Sequence, residues 1–136
     1  MTGIRSNAEQ LAARYRRRAQ QLPGAVTRGL LRVLTLVNAK QIENLSGSSS
    51  APPGAYPVPI RNPQSGLRQS ANWRQLSPTV GIVLNTARKG GFNYAVAVHE
   101  GRGSSAKYGA RPFLDDAARA VDAAQVMAVE VRGALQ

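Results

Sequence analysis

Residues 93–120, NYAVAVHEGRGSSAKYGARPFLDDAARA, constrain the fold more than any other part of the chain. Residues 94–100 alternate in the manner of a short β-strand, and residues 101–110 make a loop rich in glycine and serine. Arg111-Pro112-Phe113-Leu114 then opens a helix, because proline is preorganised for a first helical turn and lacks only an N–H that would be orphaned there. Such a strand–loop–helix unit holds one loop between two packed elements. It suits assembly better than bond making.

Upstream, Ser6-Asn7-Ala8-Glu9 fits a capping box, and Leu11, Ala12, Tyr15, Ala19 and Leu22 recur at helical spacing. Pro23-Gly24 predicts a kink or break, after which Val26, Leu30, Val33, Leu34, Val37, Ile42 and Leu45 trace a stronger apolar face. A helix over residues 6–46, kinked near Pro23, is expected. Residues 47–65 follow as a loop, and the stretch 46–65 holds five of the eight prolines. Two readings of it stay open: a surface loop, or an arm that orders against a neighbouring subunit. Residues 79–85 read as a strand that pairs with residues 92–100 through a basic turn at 88–91, with residues 73–76 as a third strand. The last helix is expected over residues 112–132, with Phe113, Ala117, Val121, Ala124, Ala128 and Val131 on one face. Asp115, Asp116 and Arg119 share the opposite face at ion-pair spacing. The order predicts one α+β domain over residues 1–136, with an antiparallel sheet within 72–100 and both helices on one sheet face.

A chain of 136 residues suffices for one core. Apolar residues make up 43% and aromatics only 5%, so that core must be built from small aliphatic side chains. The chain has no cysteine, which excludes disulfides and thiolate metal sites. No apolar run approaches the ~20 residues of a membrane span, and no secretory pattern follows Arg5, so a soluble chain made in the cytoplasm is expected.

Eighteen basic residues stand against seven acidic ones, a net charge of +11. Such an excess serves solubility, or contact with nucleic acid or acidic neighbouring subunits. Arg14, Arg16, Arg17 and Arg18 cover more than half the circumference of a helix, so that section must face solvent, a partner or DNA. Arg88, Lys89, Arg102, Lys107 and Arg111 fall in the basic turn or the loop before the last helix, and form a basic rim if the two project together. Neither a recognition helix nor a platform of stacking aromatics is evident, so any DNA contact would be to phosphates.

Catalytic patterns are sparse. His99 is the only histidine, no serine lies in a Gly-x-Ser-x-Gly elbow, and His99 reads as a sheet-end or interface residue. One histidine and scattered carboxylates give no metal-ligand spacing. Gly101-Arg102-Gly103 lacks the Gly-Lys-Ser/Thr of a phosphate loop. No enzymatic activity, cofactor or metal is expected.

Tyr94, Ala95, Glu100, Gly101, Ala110, Arg111, Pro112, Phe113, Leu114 and Ala117, with Gly66-Leu67-Arg68-Gln69-Ser70 upstream, together resemble the pattern of tail-completion (head–tail joining, or neck) proteins of long-tailed bacteriophages and prophages. The resemblance covers roughly residue 60 to the C-terminus. It departs upstream, where Asn62-Pro63-Gln64-Ser65 stands in place of the family's usual threonine before Gly66. The resemblance implies a structural virion protein at the head–tail junction, assembled in the host cytoplasm as a ring, six-membered in the family, around the channel for genome DNA. Its implied partners are itself, head-closure or adaptor proteins, tail terminator and tail-tube proteins. A tail terminator or head-closure protein of the same neck is the nearest alternative, and a sequence-independent DNA-binding protein the second. The exposed part of the N-terminal helix and the two long loops are the expected complementary patches. Candidate subunit-interface residues are Arg68, Glu100, Arg102, Lys107, Arg111 and Phe113, with Arg111 and Glu100 as ion-pair partners across the interface. Candidate DNA-channel contacts are Arg88, Lys89, Arg102 and Lys107.

Overall fold

A computed structural model of the chain describes residues 3–45, 66–89, 92–101 and 110–136. The Pro-rich stretch, the centre of the basic turn and residues 102–109 lie outside the described residues, and with them the candidates Arg102 and Lys107.

The order is α1 (Gly3–Asn44), β1 (Ala71–Ser77), β2 (Val80–Asn85), β3 (Arg88–Lys89), β4 (Phe92–Asn93), α2 (Tyr94–Glu100), α3 (Phe113–Ala120) and α4 (Ala123–Leu135). This is the expected α+β arrangement: a long N-terminal helix, an antiparallel strand pair and C-terminal helices. The long helix begins at Gly3, ahead of the predicted capping box, and continues without a break through Pro23. Pro23 has no N–H to offer the preceding turn, but its own carbonyl accepts a hydrogen bond from the Thr27 hydroxyl at 3.1 Å. The same hydroxyl lies 3.1 Å from the Pro78 carbonyl, which ties the β1–β2 turn to the helix.

The β1–β2 pair is antiparallel, with Trp73 opposite Val83 and an irregularity between Gln75 and Ser77. Gly81 faces α1 so closely that a Cβ there would lie 2.4 Å from Leu34 Cδ1. Absence of a side chain is what lets the strand pair lie on the helix. α3 and α4 also rest on α1, and Gly29 permits the close approach of Met127 from α4. Arg28 and Arg32 both reach Glu130 at 3.7 Å across this second seam. These exposed pairs orient α4 more than they stabilise it.

Two elements differ from expectation. Residues 92–100 do not form a strand: only Phe92–Asn93 pairs, with Arg88–Lys89, and Tyr94–Glu100 is helical. Asn93 caps that helix by accepting the Val96 N–H at 3.1 Å, and Gly101 closes it in the left-handed conformation at φ 68°. A short run such as YAVAVHE fits both periods, and these two caps decide for the helix. The strand pair expected through the basic turn is therefore a two-residue ladder, and 73–76 joins 80–85 directly. The predicted last helix is likewise two. Val121 is extended (φ −102°, ψ 122°), and Asp122 starts a new helix by accepting the Gln125 N–H at 3.1 Å. Val121 thus leaves the predicted apolar face.

The core lies at the C-terminal end of α1, where Leu45, Leu67, Ala87, Ala95, Val98 and Phe113 meet. Two amides beside them make their hydrogen bonds, one of them fully buried. Gln41, 0% exposed, donates to Asn38 Oδ1 at 3.0 Å and accepts from Asn85 Nδ2 at 3.0 Å. Asn44 Nδ2 donates to the Phe113 carbonyl at 3.0 Å, fixing α3 to the end of α1.

Candidate functional site

Gly101, Arg111, Pro112 and Phe113, part of the motif quoted above, meet at one corner, the base of the loop between α2 and α3. Gly101 turns the chain out of α2 while its N–H bonds the Ala97 carbonyl. The returning chain is caught when the Arg111 N–H reaches the Val98 carbonyl at 3.4 Å. One turn of α2 thus holds both ends of the loop. Pro112 then leads into α3, and its carbonyl accepts the Asp116 N–H at 2.8 Å. Phe113 is 1% exposed, and its ring meets His99 edge to face, centroids 5.2 Å apart at 82°. His99 Nε2 accepts the Asp115 N–H at 3.4 Å and lies 3.8 Å from Asp115 Oδ1. Accepting that bond requires the other ring nitrogen to carry the proton. His99 therefore braces the first turn of α3 from a helix, where a sheet end was expected.

A cleft of about 170 Å³ opens beside this corner, bordered by His99, Glu100, Asp115, Asn85 and Leu114. It is smaller than the usual small-molecule pocket, and no hydroxyl, thiol or amine side chain is among its described lining residues. Among the described residues, no group of three His, Asp or Glu side chains could hold a metal ion, and no helix is long and apolar enough to cross a membrane.

The other predicted residues divide. Arg68 is exposed on the turn of residues 66–70, a turn closed by the Ser70 N–H on the Gly66 carbonyl at 2.8 Å, while its neighbour Leu67 enters the core. Glu100 and Arg88 are exposed, and Lys89 lies on β3. Arg111 and Phe113 are not surface residues of the described chain: Arg111 is 6% exposed. Both were expected at a subunit interface. The short α2 and the return of the chain over it draw them inward instead. An exchange of charge at Arg111 would therefore strike the fold itself.

Sequence reasoning missed the amides Gln41, which is buried, and Asn44 and Asn85, which are half-buried. The signal was present, since Gln41 and Asn44 interrupt the apolar face that Val37 and Leu45 define. The charge distribution is a second feature, legible only in three dimensions. Arg14, Arg16 and Arg17 are exposed near one end of α1. Five of the seven acidic residues, Glu43, Glu100, Asp115, Asp116 and Asp122, belong to the other end of α1 or to the helices and turn packed there.

No family model matches the chain, and neither a curated protein nor a solved structure is similar to it.

Proposed function

We propose that the chain is a structural component of the neck of a long-tailed bacteriophage or prophage, completing or joining the tail at the head–tail interface as a ring of identical subunits. The observation that carries this reading is the convergence of the motif residues on a single loop base. Gly101, Arg111, Pro112 and Phe113 frame a loop, and Tyr94 and Ala95 open the helix that holds its base. Exposed apolar side chains on two further surfaces support an assembly role, because a monomer gains nothing from them. In this reading the chain catalyses no reaction. Its partners are copies of itself, head-closure or adaptor proteins, and tail terminator or tail-tube proteins, with genome DNA passing through the channel. It resides at the head–tail junction of the virion after assembly in the host cytoplasm.

Particles made without the protein test the reading. Full heads beside complete, unattached tails are the expected images; normal joined particles would refute it. A tail terminator or head-closure role in the same neck is separated by the same images, which would then display overlong tails or emptied heads. The exposed arginines of α1 favour one further reading, a protein that binds duplex DNA through phosphates. That reading requires tight binding of free duplex with a steep salt dependence, whereas a neck subunit binds free duplex weakly.

A further inference from the structure

Among the described residues, no element covers the first part of α1. From residue 7 to residue 24 no side chain is buried, and α4 reaches only as far as a space of about 410 Å³ bounded by Arg14, Arg17, Arg18, Gln21 and Gln136. Yet this arm is not polar all round. Ala8, Leu11, Ala12, Tyr15, Ala19 and Leu22 follow helical spacing and make a stripe about 100° wide. Leu11 is 48% exposed and Tyr15 59%. The stripe continues the face that carries Val26, Val33 and Val37 inward further along. Arg14 and Arg18 border it on one side and Arg16 on the other.

At the opposite end, about 40 Å along the helix axis, a groove of about 420 Å³ opens where α3 breaks into α4. Leu36, Ala39, Val121 and Val126 give it an apolar floor, and Glu43 and Asp122 stand among its lining. Lys40, also there, is held by Glu43 at 3.0 Å, and Arg119 lies 3.8 Å from Asp116. Glu43 and Asp115 keep most of their side-chain surface in solvent.

We propose that the α1 arm of one copy lies in this groove of the next, its Leu11–Tyr15 stripe on the apolar floor and its arginines against Glu43 and Asp122. This inference rests on the ring-forming part of the function proposed above and names the surfaces that form the ring. Arm and groove belong to two ends of one continuous helix, so they cannot meet within a molecule. Arm against arm would oppose arginine clusters, and DNA would account for the arginines but not for the apolar stripe between them. Two different patches on each copy give a head-to-tail contact, the kind that closes into rings.

Sedimentation velocity of the full chain over a concentration series tests the contact, with circular dichroism to verify that each variant is folded. The wild type should assemble. Arg14→Glu with Arg18→Glu, and separately Glu43→Arg with Asp122→Arg, should each raise the concentration needed for assembly by about tenfold or more. An equimolar mixture of the two should assemble again, because acidic arms then meet basic grooves and basic arms meet acidic ones. Leu11→Asp with Tyr15→Asp should fail alone and when mixed with the arginine variant. A wild type that stays monomeric at every concentration, charge variants that assemble like it, or a mixture that does not recover would each overturn the proposal. So would arginine variants that lose only duplex-DNA binding with sedimentation unchanged. The two readings fail separately. An oligomer indifferent to the arm refutes this contact but leaves the neck role, and an arm-dependent oligomer whose deletion yields normal particles does the reverse.

Discussion

Asn85 ties three segments together, and its removal should cost more than a half-buried position implies. Its Nδ2 donates to Gln41 Oε1 at 3.0 Å and to the Leu67 carbonyl at 2.7 Å, and its Oδ1 accepts the Ala87 N–H at 3.1 Å. Gln41, Leu67 and Ala87 are all buried, so water from the adjoining cleft replaces the lost partners only in part. Asn85→Ala leaves two acceptors and one donor unmet. At about 1–3 kcal/mol per orphaned buried group, reduced by local relaxation, the expected loss is about 2–4 kcal/mol. In a domain of this size that lowers Tm by about 5–20 °C. Asn85→Asp is the sharper perturbation. It keeps the shape and the acceptor for Ala87, yet turns an oxygen toward the Gln41 and Leu67 oxygens. Gln41 cannot reverse its amide freely, because its Nε2 is engaged with Asn38 Oδ1 at 3.0 Å and the Leu84 carbonyl at 3.4 Å. The new carboxyl, facing two acceptors, titrates above the usual carboxylate range in the folded state. Its destabilisation is therefore full at neutral pH and is relieved as pH falls through that raised value, since protonation restores a donor. Urea unfolding followed by circular dichroism at pH 7 and pH 5 reads both effects. The Asp variant should be the least stable at pH 7 and recover toward wild type at pH 5 relative to Ala. An Asn85→Ala variant within about 0.5 kcal/mol of wild type, or an Asp variant without that recovery, would refute the network.

Two further substitutions probe how the elements seat on α1. Gly81→Ala should destabilise by about 1–3 kcal/mol, because the new Cβ meets Leu34, which is itself buried, whereas Gly29→Ala should be near neutral, since the flexible end of Met127 can move and alanine favours the helix; equal costs in thermal melts would contradict this packing. Arg111→Glu should cost about 3 kcal/mol or more and reduce soluble yield, measured by thermal shift, because it reverses a buried charge; a variant that melts with the wild type would mean that Arg111 faces outward.

The long helix, the β2 strand and the α+β order were legible because their patterns are long or strongly β-branched. The misreadings have local causes. Residues 94–100 carry alternation and helical spacing at once, and Asn93 and Gly101 outweigh the alternation by capping both ends of a helix. Asp122 splits the last helix because an aspartate that accepts the Gln125 N–H starts a helix more readily than it continues one. At the candidate site, spacing located the loop and its flanking motif but not the direction of each side chain. Arg111 and Phe113 turn inward once α2 shortens the path, a consequence of the very helix that the alternation concealed. The amides Gln41, Asn44 and Asn85 are of another kind: nothing in a polar residue on an apolar face tells which distant carbonyl will meet it.

What the chain buries bears directly on what it can do. Its hydrophobic cluster around Phe113 lies at one end of α1 and includes several small residues. A two-stranded sheet is marginal alone, so β1–β2 depends on α1 through Leu34 against Gly81 and Gln41 with Asn85. The inner face is thereby satisfied, while Leu76, 60% exposed, Val80 and Ile82 remain outside, as Leu11 and Tyr15 do on the arm. These five side chains lie on three elements, α1, β1 and β2. In the contact proposed above, another copy covers Leu11 and Tyr15, and the arginines of the arm against Glu43 and Asp122 of the groove set its orientation. The proposed ring contact accordingly rests on the distribution of surface. Hydrodynamics is the measurement that bears on that contact, and particle images bear on the neck role.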